Sequence, residues 1–199
     1  MKTYKKKITQ TKPLLEIVYD ESPTSPRDFG DFENLGYFIT VERAHRSPDF
    51  NEPIQAIITE TSHEAKSTKD HMQLITQRIN SEIGETVLAI YPVNKYEHGN
   101  VIYRIGVASG FDFSNCGFYI VTDESIKALG TNKEDFERVV KQELSTYTAY
   151  VNGEVYRYTL YDEKGDIEDE GSGFYDIEEI RGNLGEEWSE ENLNDYLIQ

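Results

Sequence analysis

A single cysteine, Cys116, leaves no intramolecular disulfide to hold this chain together, so its stability must come from an apolar core. No apolar run approaches the roughly 18 residues that a membrane-spanning helix needs. The opening segment Met1–Ile8 is basic but is followed by no apolar stretch, so it does not read as a secretory signal. The expected location is the cytoplasm, without attachment to a membrane. The familiar catalytic signatures are missing as well. There is no phosphate-loop pattern, no H-E-x-x-H and no G-x-S-x-G. The four histidines (His45, His63, His71 and His98) are scattered, and nothing in the sequence sets one of them beside Cys116. That cysteine therefore reads as a small buried thiol, not as an activated nucleophile. The chain is expected to be no enzyme and to need no metal or organic cofactor.

Basic residues are also scarce. Lys and Arg number 20 against 37 Asp and Glu, which gives a net charge of −17. The imbalance is uneven. Residues 1–12 hold five lysines and no acid, whereas residues 161–199 hold fourteen acids against two bases, a net −12. The expected organisation is a basic N-terminal arm over 1–12 and a single domain over 13–199, with 161–199 an acidic subregion. Such a field repels nucleic acid and anionic membrane and attracts basic surfaces, including those with which proteins grip DNA or RNA.

Aromatic residues are plentiful: 14 Tyr and 9 Phe, beside one Trp. A tyrosine carries an apolar ring and a polar tip, so a small core edged with half-buried rings is expected. Strands are expected at Leu14–Tyr19, Gly36–Val41, Ile54–Thr59, Val87–Val93, Val101–Val107, Gly117–Thr122, Val155–Tyr161 and Gly171–Tyr175. Residues 20–34, with two prolines, and His45–Pro53 read as loops. Thr68–Ile83 has helical spacing at Met72, Ile75 and Ile79, and Gly84 ends it. Asp123–Leu129 reads as a short helix stopped by Gly130. Thr131–Glu134 has capping-box spacing and opens the longest helix, whose stripe is Phe136, Val139, Val140, Leu144, Tyr147 and Val151. Ser189–Ile198 reads as a last short helix with Trp188, Leu193 and Leu197 inward. Strand–turn–strand units dominate, so the fold class is α+β: a largely antiparallel sheet packed against one long helix and two or three short ones.

Several constellations invite a chemical reading. Gly110–Gly117 is glycine-rich, but it precedes a strand and lacks the Lys-Ser/Thr of a phosphate loop, so a plain loop with Phe111 and Phe113 in the core is expected. Asp162–Glu170 (DEKGDIEDE) lacks the D-x-D-x-D-G frame of a calcium loop and reads as a charged hairpin. Glu42–Arg46 places acid, base and imidazole together and reads as exposed ion pairs.

Taken in order, several segments carry a resemblance. They are Glu33-Asn-Leu-Gly36 with Asp49 after it, Leu88–Gly99, Gly117-Phe-Tyr-Ile-Val-Thr122, and Tyr147-x-x-Tyr150-x-x-Gly153-x-Val155-Tyr-x-Tyr followed by an acidic turn and Gly173-Phe-Tyr175. The chain resembles a family of uncharacterised proteins encoded by bacteriophages and other mobile elements of Gram-positive bacteria. The likeness runs from about 33 to 175. It departs at Gly171-Ser172, where the family tends to show Cys-Trp, and at Val41–His45, where relatives show Trp-His-Arg-Arg-Tyr. The resemblance implies a mobile-element source and a host cytoplasm as the place of action.

Charge and resemblance together lead to a functional expectation. Asp162, Glu163, Asp166, Glu168, Asp169 and Glu170 crowd onto one hairpin, where like charges repel and weaken the fold. Crowding of this kind favours a role in binding over mere solubility. The chain is expected to be an acidic inhibitor of a host nucleic-acid-directed defence, of restriction or CRISPR type, that imitates DNA. Its partner would be a host protein with a basic nucleic-acid-binding surface. The alternative is an accessory protein that binds another host protein or sequesters a small ligand.

Overall fold

In chain order the elements are β1 (Leu14–Tyr19), β2 (Tyr37–Thr40), α1 (Glu52–Ser62), α2 (Thr68–Arg78), β3 (Val87–His98), β4 (Asn100–Ile105), β5 (Phe113–Thr122), α3 (Phe136–Val151), β6 (Tyr156–Tyr161) and β7 (Ile167–Phe174). They come from a computed structural model that describes residues 14–28, 33–42, 46–127, 129 and 132–198. The basic arm over 1–12, the capping residue Thr131, the stop at Gly130 and Arg43–His45 of the 42–46 constellation lie outside the described residues. Every pairing between the strands is antiparallel, and the class is α+β. The chain divides into two compact units, one from residues 24–152 and one from the flanking residues up to 23 and from 153 onward.

The larger unit is built on a four-stranded sheet in the order β2-β5-β3-β4. Successive side chains of a strand point to opposite faces. Phe38, Tyr119 and Val121 therefore meet Phe136, Val140 and Leu144 of α3 on one face, and an irregularity of the β3–β5 register turns Cys116 to the same face. Ile39, Phe118 and Ile120 meet Ile54, Ile57 and Ile58 of α1 and Ile75 and Ile79 at the end of α2 on the other. Because both faces are covered, Cys116–Thr122 is buried without a break. Gly117 and Gly36 allow β2 and β5 to lie close, since a Cβ on either would collide with a carbonyl oxygen, of Ile39 or of Ile120.

Side chains close both edges of this sheet. On β2, the Phe38 N–H donates to Asp49 and the Thr40 N–H to Ser47 Oγ at 3.0 Å. On β4, the Val101 N–H donates to Asn152 Oδ1 at 2.9 Å and the Tyr103 N–H to Thr148 Oγ1 at 3.1 Å. Asn152 Nδ2 returns a bond to the Val101 carbonyl at 2.8 Å. Unpaired edges attract other chains, and these bonds remove the opportunity.

The smaller unit holds the sheet β1-β6-β7. Leu15, Ile17, Tyr158 and Leu160 face inward and pack on Ile177, Ile180, Trp188 and Leu193. The outer edge of β1 is taken by the C-terminal segment, where the Ile198 N–H donates to the Ile17 carbonyl at 2.8 Å.

Five local expectations are corrected. Ile54–Thr59 is helical, within α1, and not a strand. Asn51 caps the helix, Pro53 sits in its first turn where no N–H is needed, and Ile54, Ile57, Ile58 and Thr61 follow the helical period into the core. Asp123–Lys127 forms turns in place of a helix. Thr122 and Ser125 exchange backbone-to-side-chain bonds there, at 3.0 and 3.1 Å, and these compete with helical bonding. The last segment forms 3-10 turns at Glu186–Trp188 and Leu193–Tyr196 in place of one helix from Ser189. Arg181 explains this, because its guanidinium donates to the carbonyls of Trp188, Ser189 and Glu191, which a helix would use itself. Phe111 is fully exposed at a loop tip and not in the core, whereas Phe113 is half-buried against Tyr96. The β3–β4 hairpin is also tighter than expected: β3 runs on to His98, and Gly99 alone, at φ +84°, makes the turn.

Within α3, Phe136, Val140 and Leu144 are buried, Tyr147 is half-buried, and Glu137 and Lys141 face solvent, as does Lys133 in the turn just before the helix. Leu144 is 1% exposed. Replacing it with alanine is expected to cost about 2–5 kcal/mol in urea unfolding, through lost burial and the cavity left behind. A cost below about 0.5 kcal/mol would contradict the packing of α3 on this sheet.

Candidate functional site

The six carboxylates of the hairpin do not play one role. Asp162 Oδ1 accepts from the N–H groups of Lys164 and Asp166 at 2.8 and 2.9 Å, which closes the turn between β6 and β7. Asp169 lies opposite Leu160 and accepts from the Tyr158 hydroxyl. Burial and the bond to Asp169 push the Tyr158 phenol up to about 12. Asp162 and Asp169 thus serve the hairpin itself. Glu163, Asp166, Glu168 and Glu170 are exposed and have no ion-pair partner among the described residues. Glu163 and Asp166 lie on the turn, and Glu168 sits in a bulge between the pairs Leu160–Asp169 and Tyr161–Ile167. Glu170 stands opposite Thr159 on the outer face of the sheet. The structure brings the six together on one hairpin and spreads them over its tip and both its faces.

The two units share the charge very unequally. Described residues 14–23 and 153–198 contain eighteen acids against three bases, a net −15, whereas 24–152 carries −7. Of those three bases, Arg181 is committed inside the unit. It pairs with Glu178 at 2.7 Å and holds the carbonyls of the C-terminal turns. Only Arg157 and Lys164 remain to temper the acids.

A second polar assembly occurs in the larger unit, and sequence reasoning missed it. Arg27 is 3% exposed, yet all five of its N–H groups have acceptors. Nε and Nη2 grip the two oxygens of Asp49, Nη1 donates to Asn34 Oδ1 and Glu143, and Nη2 also reaches the Gly36 carbonyl at 2.6 Å. Glu143 accepts in addition from the Tyr119 hydroxyl and the Leu35 N–H. Burial alone would lower the Arg27 guanidinium, but hydrogen bonding and attraction to Asp49, with Tyr119 and Glu143 adding to it, raise it above its ordinary value. Burial raises the Asp49 carboxyl, and the opposing pull towards the carboxylate comes from Arg27, which donates to it twice, and from the Phe38 N–H. Asn34, Gly36 and Asp49 stand among the segments that the sequence singles out, Glu33–Gly36 and Asp49. Arg27 itself lies among turn formers and gave no signal.

Beside this assembly a cleft of about 430 Å³ is lined by Ser25, Asp28, Arg46, Phe50, Tyr147 and Tyr150, with Arg27 and Asp49 at its wall. Every N–H of Arg27 is used and Asp49 is buried, so the polar side chains that line the cleft towards a ligand are Arg46, Asp28, Tyr147, Tyr150 and the hydroxyls of Ser25 and Ser47. Burial, with Tyr150 and Asp49 nearby, pushes the Tyr147 phenol up to about 12. From the 42–46 constellation, Glu42 pairs with the buried Lys95 at 2.9 Å, and Arg46 lines the cleft.

The other candidate groups are structural. His71 Nε2 lies 3.0 Å from the Ile58 carbonyl and 3.1 Å from Thr61 Oγ1, tying α1 to α2. His63 is exposed, and His98 lies 3.9 Å from Asp112. Among the described residues no group of three or more metal-ligating side chains converges. Cys116 is fully buried and donates to the Val93 carbonyl at 3.4 Å. Burial, with Glu42 nearby, pushes its thiol up to about 12.

Comparison with known proteins adds no relative: no family model matches the chain, and neither do any of the curated proteins or the solved structures.

Two expectations follow from the buried groups. Arg27→Met leaves the Asp49 carboxylate uncompensated in the interior, and it is expected to cost about 3–5 kcal/mol in denaturant titration. A loss under about 1 kcal/mol would mean that the assembly is solvated in solution. The Cys116 thiol, protonated at pH 8 and shielded, is expected to resist iodoacetamide in the native protein and to react fully in guanidinium. Rapid labelling of the native protein would contradict its burial.

Proposed function

We propose that this chain is an acidic binding protein, not an enzyme, and that it engages a host protein through that protein's basic nucleic-acid-binding surface. On this reading it blocks a nucleic-acid-directed defence, of restriction or CRISPR type, by standing in for the phosphates of DNA. The observation that carries the reading is the concentration of net −15 on the described residues of the smaller unit, with Glu163, Asp166, Glu168 and Glu170 projecting from one hairpin. A dense negative field speeds encounter with a positive surface and selects against acidic partners. The resemblance to proteins of bacteriophages and mobile elements supports a host protein as the target.

A second reading attaches to the cleft at Arg46, Phe50, Tyr147 and Tyr150, whose volume suits a small ligand. In that case the protein sequesters a small molecule, and Arg46→Ala abolishes binding without affecting the hairpin.

The test uses the hairpin. The variant E163Q/D166N/E168Q/E170Q spares Asp162 and Asp169, which the hairpin needs, so its melting temperature should match that of the parent. In competition with duplex DNA for a basic DNA-processing host protein, about tenfold more variant should be needed at 50 mM salt, through slower association. The gap should narrow as salt rises. Equal inhibition by parent and variant would remove the hairpin from the binding surface. Failure of the parent to compete with DNA for any such protein would end the DNA-mimic reading.

A further inference from the structure

We infer that β7 accepts a basic, extended segment of the partner protein as a fourth strand of the smaller sheet. The inference rests on the reading that the acidic unit binds a basic partner, and it adds the mode of recognition.

The argument begins with the sheet edges. Asp49 and Ser47 close the outer edge of β2, and Asn152 and Thr148 close that of β4. The C-terminal segment closes the outer edge of β1 through the bond from Ile198 to Ile17. The outer edge of β7 differs. Its only strand partner is β6, and among the described residues no side chain or loop bonds to the other edge. Apart from Gly171 and Phe174, the residues of β7 are exposed, and Ile167 is 60% exposed. Irregularities interrupt the β6 pairing at Glu168 and at Gly173 and bracket a regular stretch, Asp169–Ser172. An open run of backbone donors and acceptors of this kind is what an added strand uses.

The side chains choose the occupant. Asp169 and Glu170 would stand beside the incoming strand, and cross-strand pairs favour opposite charge and penalise like charge. A second β7 would set these carboxylates against their own copies, so self-pairing through this edge is disfavoured. A strand with Lys or Arg opposite them is favoured. At Gly171 the rings of Tyr158 and Phe174 fill the space that a side chain would take, whereas Ser172 is small and exposed and leaves room for a bulky residue of the incoming strand. Exposed Ile167 offers an apolar contact at the start of the stretch. Backbone bonds then supply affinity without regard to sequence, and the acids set the demand for a basic strand.

The test takes the full chain and two ten-residue peptides of alternating lysine and valine, one unmodified and one N-methylated at every backbone nitrogen. Their charge and side chains are the same, but the second cannot donate to a strand. Binding is measured by calorimetry at low salt, and amide exchange is followed residue by residue. The inference expects the methylated peptide to bind at least about tenfold more weakly, a factor that the loss of a few backbone bonds readily supplies. It also expects the unmodified peptide to slow exchange within Asp169–Ser172. Equal binding with no slowing at β7 overturns the added strand and leaves the charge-based reading standing. Absence of binding by either peptide overturns both. A full chain that self-associates, and that the peptide dissociates, would put a second copy's basic residues on this edge and overturn the partner named here.

Discussion

The guanidinium of Arg27 is the charge on which the larger unit is organised. A buried cation is tolerated only where its hydrogen bonds are complete and counter-charges lie against it. Arg27 satisfies both demands by collecting four residues from three places: Asn34 and Gly36 before β2, Asp49 after it, and Glu143 on α3. Those partners then do further work. Asp49 receives the Phe38 N–H and so finishes the edge of β2. Glu143 receives the Leu35 N–H and the Tyr119 hydroxyl and so fastens the helix to the loop and to the sheet. A strand of only four residues would be a poor sheet member alone, and this assembly fixes its position and its register.

The smaller unit uses an arginine to a similar end with a different balance. Arg181 gathers carbonyls from the C-terminal turns and pairs with Glu178, and the segment it secures delivers Ile198 to β1. Around it the carboxylates are mostly uncompensated. Each unit thus has an arginine that gathers scattered groups, but the smaller one carries the greater excess of negative charge, net −15 on its described residues against −7.

Much of the secondary structure was legible in the sequence because period and burial agree there. Gly117–Thr122 and the stripe Phe136, Val140 and Leu144 could be read directly, and the structure buries them. Ile54–Thr59 misled because isoleucine favours strands and Pro53 looked like a break, although the spacing of Ile54, Ile57 and Ile58 was helical and proline is at home in a first turn. The Arg27 assembly could not be read, since the partners of Arg27 lie from 7 to 116 positions away from it and meet it only through the tertiary fold. The hairpin acids were legible as a cluster. That Asp162 and Asp169 hold the hairpin together while the other four project from it depends on the register with β6, which composition does not encode.

The smaller sheet is discontinuous in sequence: β1 precedes the larger unit, and its partner β6 follows it. A chain leaving the ribosome therefore completes residues 24–152 while β1, with Leu15 and Ile17 still uncovered, has no strand to join. At the usual pace of synthesis the last segment needs about 2–10 s more. During that interval the larger unit can fold as a nascent domain, and the acidic hairpin has yet to be translated. The negative surface is thus assembled after the larger unit, and it arises only when β1 meets β6 across the intervening 24–152.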